Sequence, residues 1–293
     1  MADGDGHACN QIIFLKPSSI IKSIIFIEIR TFAIEMRKRC KSWALAVLLP
    51  CVVFGQSDFR SETSVELQKT FHERWQAGVE LEVRTRDDLS AIDRLSAGLQ
   101  GGVKVLPWLK LSCGYVFLGD HNKRISHYEA GDRDVLKGMA QPGERKNLRE
   151  YWGVRHRLYA SATGKFHLGR WHMSLRERWQ YTYRPEQIVD SRYNYVYKKG
   201  DNAPHFYHGD AKNVLRSRLS VEYDIRHCHL TPLASVETWH AWSLEQVRYT
   251  VGAAWKINKH HVLEACYRYQ HESHVEDDTP HRHIIGFSWQ VKI

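Results

Sequence analysis

The sequence predicts an all-β fold, a transmembrane antiparallel up-and-down β-barrel of about 10–12 strands behind an N-terminal signal peptide, and three observations predict it. Apolar and polar residues alternate with period two from residue 62 to the C-terminus. Most alternating segments run 10–14 residues, long enough for the roughly 9–11 residues of a tilted membrane-crossing strand and longer than the usual 5–6 of a globular one. Short connections alternate along the chain with long polar ones, the asymmetry of barrels whose turns and loops face opposite compartments.

Composition sets the outer limits. The 293 residues carry 42 Lys+Arg against 33 Asp+Glu and include 10 Trp and 14 Tyr. A mean hydropathy of -0.49 excludes a polytopic helical membrane protein, but barrel strands average apolar lipid-facing and polar lumen residues and so look soluble. Lys and Arg alternate with acids and form no concentrated patch, so nucleic acid is not an expected partner.

The N-terminus reads as export machinery. Arg37, Lys38, Arg39 and Lys41 form a basic n-region, Trp43 to Phe54 an apolar stretch, and Gly55 a small residue for cleavage before Gln56. Residues 36–55 are thus the expected signal peptide, starting at Met36. Residues 1–35 are expected to be an upstream-start extension, and 56–293 the mature barrel. Pro50 fits lipid attachment at Cys51 poorly, which favours signal peptidase I. Residues 1–55 take 7 Lys+Arg, 4 Asp+Glu and three of six cysteines with them, leaving 35 basic against 29 acidic residues. Cys113, Cys228 and Cys266 remain, too scattered for a disulfide framework or metal spacing.

In the first strands, 62–70 and 75–86, Ala77, Val79, Leu81 and Val83 oppose Glu80, Glu82, Arg84 and Arg86. Segments 94–105 and 109–118 follow, then 152–163, 171–183, 214–225, 230–239, 246–257 and 261–271. The last, 283–293, alternates Ile285, Phe287, Trp289, Val291 and Ile293 with polar residues up to the final residue, which resembles the C-terminal signature that barrel-assembly machinery recognises, although a terminal Phe or Trp is more usual there than Ile293. Short turns lie at 72–74, 106–107, 165–170, 226–229 and 258–260, and long connections at 87–91, 119–150, 184–211, 240–245 and 272–282. Trp75, Trp108, Trp171 and Trp255 adjoin short turns and form an aromatic girdle if those turns share an interface. These segments number eleven, whereas bacterial single-chain barrels have even counts. Ten or twelve strands are therefore expected, twelve being favoured, with a further strand hidden in a long loop or near 56–62. Glu177 falls on the lipid face between Leu175 and Trp179 and calls for a bulge or a lateral partner.

Several stretches resemble the outer-membrane barrels grouped as domain of unknown function 2490. They are QSDFRSETSVELQKTFHERWQAGVELEVRTRDD at the mature start, the DRLSAGLQGGVKVLPWLKLSCGYVF hairpin, RHRLY, LRERWQY, LRSRLSVEYDI and PLASVE. The resemblance covers 57–293; the 1–35 extension and terminal Ile293 depart from it. It implies an outer-membrane barrel, no established activity and no catalytic residues.

The chemistry lies in arginine. Four R-x-R pairs put both guanidinium groups on one strand face, and the expected lumen belt is Arg84, Arg86, Arg94, Arg155, Arg157, Arg176, Arg178, Arg216, Arg218, Arg248 and Arg268. Glu66, Glu80, Glu222, Asp224 and Glu264 are expected mostly lower in the lumen. Two readings stay open: a belt that attracts anions, as arginine rings do in pores, or arginine–carboxylate pairs filling a narrow lumen, since eight strands are just filled by side chains.

Other clusters are weaker. His271, His274, Glu276, Asp277, His281 and His283 could gather on a metal, but their spacing matches no metal motif, and a solvated loop is expected instead. His227, Cys228 and His229 sit in a short turn that splays alternate side chains. Ser161, Ser174, Ser217 and Ser235, with His156 and His172, carry no nucleophile motif. The expectation is a non-enzymatic outer-membrane barrel without catalytic residues, metal or cofactor, either a narrow anion-preferring pore or a structural barrel. Its partners are outer-membrane lipid, lipopolysaccharide and assembly machinery. A lipid-modifying hydrolase or acyltransferase barrel is the alternative. A lipocalin-like soluble barrel needs an apolar interior, which the Arg and Glu on one face of nearly every strand oppose.

Overall fold

The computed structural model of the chain describes residues 58–226, 228–273 and 281–293. The expected signal peptide and 1–35 extension, together with His227, His274, Glu276 and Asp277, lie outside the described residues.

Period-two alternation becomes strand almost throughout. The wall consists of β1 (Asp58–Phe71), β2 (Trp75–Arg86), β3 (Ala91–Leu106), β4 (Leu109–His127), β5 (Arg145–Leu168) and β6 (Trp171–Arg184), then β9 (Asp210–Tyr223), β10 (Leu230–His240), β11 (Leu244–Lys256), β12 (His261–Glu272) and β13 (His281–Lys292). Sequential neighbours pair antiparallel, β6 pairs directly with β9, and β1 pairs with β13 to close the ring. The wall therefore has eleven strands.

This corrects the expected even count. Each hairpin reverses chain direction, so a ring of hairpins closes antiparallel only with an even number. With eleven, β1 and β13 must run the same way. They do, in an unbroken parallel register from Asp58↔Arg282 to Gln68↔Lys292. The strand at 62–70 is a full wall strand of 14 residues. The 184–211 connection does hide strands, β7 (Gln187–Asn194) and β8 (Lys199–Tyr207), but this hairpin stands outside the ring. Among the described residues its ladder partner in the wall is the upper end of β5, through Asn147↔Asn194 and Leu148↔Tyr193.

The connections sort as expected. Turns 72–74, 107–108, 169–170, 224–229 and 257–260 share one end, together with Trp75, Trp108, Trp171 and Trp255. The opposite end carries 87–90, 128–144, the β7–β8 hairpin and 241–243, and β12 ends and β13 begins there. There β4 and β5 (19 and 24 residues) run past the other strands and carry a folded cap over 128–144 with the short helix α1 (Arg133–Leu136).

Burial is inverted relative to a soluble protein. Leu81, Leu99, Leu158, Leu219 and Val251 are each at least 50% exposed, whereas Glu237 is 1% and Arg248 6% exposed. An apolar exterior around a polar interior suits hydrocarbon outside and opposes a lipocalin-like soluble barrel. In hydrocarbon, ring closure also satisfies every backbone group of the wall. Glu177 needs no bulge, because β6 keeps unbroken register with β5 and β9. On the outer wall it accepts a 2.6 Å hydrogen bond from Ser217 Oγ, a partner on the adjacent strand.

Candidate functional site: a cationic lumen and mouth

The polar phase of each strand points inward, and the ring gathers the belt arginines of seven strands into one layer toward the long-loop end. Three carboxylates organise it. Glu237 Oε1 on β10 accepts 2.8 Å hydrogen bonds from Arg176 of β6 and Arg216 of β9, with Arg218 at 3.8 Å. Glu62 on β1 lies 2.8 Å from Arg268, 3.6 Å from Arg84 and 3.9 Å from Arg248. Asp120 on β4 pairs with Arg94 of β3 and, at 3.3 Å, with Arg155 of β5. Arg84 also donates to Glu82 at 2.7 Å. Small residues make room: Gly286 sits beneath Arg268, where an added Cβ would lie 3.0 Å from the guanidinium carbon.

Two arginines have no such partner. Arg157 donates to Thr182 Oγ1 at 3.1 Å, and Arg178 lies over the Tyr159 ring at 4.3 Å. Among the described residues neither has a carboxylate within ion-pair distance. Trp239 receives two more guanidinium groups, Arg216 at 4.6 Å and Arg248 at 5.1 Å from its ring centre, geometry suited to cation–π attraction. Arg86 is the outlier of the expected belt; its partner is Asp87 at the rim, at 3.6 Å.

Above this layer opens a cavity of about 310 Å³ toward the mouth. Nine cationic side chains line it against three carboxylates, Glu62, Asp93 and Glu272. Arg60, Lys212 and Arg282 complete the wall, all unforeseen in the sequence although all three carry the lumen phase of their strands. The organising acids Glu62, Asp120 and Glu237 were equally unforeseen.

Below, acids share the lumen with Lys104, Lys110 and Lys165, which carry the lumen phase of β3, β4 and β5. Gln290 and Gln100 both donate to Glu66, the former at 3.0 Å. Glu80 faces Glu66 across β1 and β2, and Glu264 lies in the lumen phase of β12. Glu222 and Asp224 sit near the short-turn end, where Asp224 N bonds Arg170 O. Tyr159 folds across the lumen over Gly114, where an added Cβ would come within 2.6 Å of the ring.

The weaker clusters disperse. Ser161 pairs with Ser112 at 2.8 Å and Ser217 with Glu177. Ser174 and Ser235 flank Ser220 in one cross-strand row. His156 is outside the wall, bonded to Tyr115 at 2.7 Å, and His172 bonds His167 at a short turn. His271, His281 and His283 lie on the outer wall with Tyr249, Tyr267 and Tyr269; Tyr269 bonds His281 at 2.7 Å, and His271 stacks on His281. Among the described residues no three metal-ligating side chains converge.

A closed barrel with an apolar exterior, aromatic ends and a charged interior is an outer-membrane β-barrel, and its location is the bacterial outer membrane. Residues 63–280 match the family model described as "Protein of unknown function (DUF2490)", and the chain belongs to that family. No curated protein matches it. Among solved structures it is similar to the β domain of the Bordetella autotransporter Brka (14% identity, TM-score 0.43, 80% of this chain and 95% of that one). It is also similar to the translocator domain of autotransporter NalP from Neisseria meningitidis (12%, 0.40, 83% and 91%). A third is the CymD monoaromatic hydrocarbon channel (10%, 0.36, 74% and 82%).

Proposed function

We propose that the barrel is a narrow, non-enzymatic conduit whose mouth concentrates small anions. The observation that carries this reading is the excess of cations around the mouth cavity, nine against three. The two readings left open by the sequence divide the arginines between them. Those held by Glu62, Asp120 and Glu237 fill and brace the lumen. Arg157, without a carboxylate, contributes field to the cavity; in a confined, low-dielectric mouth such charge raises local anion concentration. Ser161 bonds Ser112, Ser217 bonds Glu177, His156 bonds Tyr115 and His172 bonds His167, pairings that support the non-enzymatic side of the proposal.

Arg157→Gln is the clean test, because Arg155 also braces Asp120. In planar bilayers under a salt gradient, the wild type is expected to show a reversal potential of anion sign. Arg157→Gln should move it several-fold toward non-selectivity, and Arg155→Gln with Arg157→Gln further, with melting of the single variant unchanged. Unaltered selectivity together with lost thermal stability would show that these arginines only pack the lumen.

A further inference from the structure

On the lipid-facing wall, one cross-strand row consists of small residues: Ala77 on β2, Gly101 on β3, Cys113 on β4 and Ala160 on β5, directly paired in that order. The next row toward the long-loop end is bulky, with Leu67, Val79, Leu99, Tyr115 and Leu158 in register. The row on the other side begins with Trp75, Val103 and Leu111. The small row below the Leu67–Leu158 bank leaves a mainly apolar groove of about 730 Å³, whose lining also takes in Gln68, Gln100, Tyr159 and the C-terminal Ile293. A Cβ added at Gly101 would meet nothing within 4 Å, so the floor is open there.

The groove has two different ends. One is Lys69 of β1, next to Ala77 and two residues from the strand's short-turn end, with its ammonium 5.5 Å from the Phe71 ring centre. Among the described residues no carboxylate lies within ion-pair distance of Lys69. The other end is Trp179 on β6, well up the wall. Five strand spacings separate them, about 24 Å. The groove thus begins at a cation near the short-turn interface and climbs into the hydrocarbon.

We infer that this groove holds one phospholipid of the periplasmic leaflet, its phosphate on Lys69 and one acyl chain lying over Ala77, Gly101 and Cys113. The length suits an extended membrane acyl chain, and the cation sits at headgroup depth. Lipid is plentiful on both sides of this balance, so contact packing and the phosphate–ammonium attraction drive occupancy rather than water exclusion.

The test reconstitutes the full chain in phosphatidylethanolamine–phosphatidylglycerol vesicles containing phospholipid with a diazirine at the acyl end, and maps photo-cross-links by peptide mass spectrometry. Cross-links are expected to concentrate on β4, β5 and β6 at Cys113, Ala160 and Trp179. Cys113→Trp, which fills the groove from the outside, should abolish that concentration without changing heat-modifiable gel migration. Native mass spectrometry of the extracted wild type should show one retained phospholipid, and Lys69→Gln should lower its retention about fivefold, the factor that roughly 1 kcal/mol per interfacial lysine gives. The Lys69→Gln measurement stands even if Cys113→Trp fails to fold. Cross-links spread evenly around the wall overturn the proposal, as does a lipid-free dimer with this face protected, which would make the occupant a second copy.

Discussion

At the scale of single residues, Glu237 decides how the lumen is held. One carboxylate, 1% exposed, sits among three guanidinium groups from two other strands. Removing one member of a buried charge group costs more than the group contributes net, because the partners are left desolvated and unpaired. Glu237→Gln should therefore destabilise the barrel by about 3 kcal/mol, read as a lower midpoint in urea unfolding from vesicles. A change of less than about 0.5 kcal/mol, the size of an ordinary surface substitution, would sink this account of the lumen. Arg157→Gln has the opposite logic, since it deletes a cation that no carboxylate compensates. The arginines were legible because each betrays its face by its phase within its own strand. Their acids were not. Glu237 meets Arg176 only because β10 and β6 both flank β9 in a particular register, and register between distant strands leaves no local signature.

At the scale of elements, ten of the eleven wall strands follow from alternation alone, and the eleventh, β1, was visible but doubted on parity. Boundaries were less legible where a strand leaves the membrane. Beyond Asp120, β4 continues through HNKRIS, and β5 opens with RKNLRE. Outside hydrocarbon, alternation no longer has to be apolar, and these polar stretches read as loop. The cap they carry is held by charge: Lys146 donates to Asp132 at 2.6 Å, while Asp132 accepts the Glu129 amide at 2.9 Å. These bonds, that of Lys146 first, hold the Asp132 carboxyl below its ordinary value of 3.8. The Arg192 guanidinium does the same for Asp201 in the β7–β8 hairpin. A carboxyl with a depressed folded value contributes stability that is present above its unfolded value and lost as pH falls through the folded one. Cap and hairpin should thus loosen below pH 3.8 while the wall persists. Hydrogen exchange of 128–144, corrected for the intrinsic effect of pH, should rise there before that of β11–β13. Unchanged protection down to about pH 2.5, well under the usual carboxylate range, would show that backbone pairing alone holds the cap.

At the scale of the whole molecule, the parallel seam is the feature local pattern could not supply. Sequence gives strand number and phase, but whether first and last strands meet, and in which sense, is a property of the closed ring. Eleven strands impose parallel closure, with the start of β1 at the long-loop end beside 87–90, where Phe59 N bonds Asp88 Oδ1 at 3.2 Å. The seam has a direct geometric consequence. Ser64 lies opposite Ser288 across it and opposite Glu82 on β2. With the native cysteines replaced by serine, Ser64→Cys with Ser288→Cys should be joined by a short bis-maleimide, since paired neighbouring strands lie only about 4.8 Å apart. The cross-linked barrel should then resist heat-induced opening on gels. Ser64→Cys with Glu82→Cys is the internal standard, because that pairing needs only the first hairpin. If the hairpin pair cross-links and the seam pair does not, β1 is not closed against β13 in this register. The wall would then be a ten-strand ring with β1 displaced, and Glu62 would be withdrawn from Arg84, Arg248 and Arg268. The charge balance of the mouth, and with it the proposed anion preference, thus depends on the closure that this cross-link reads.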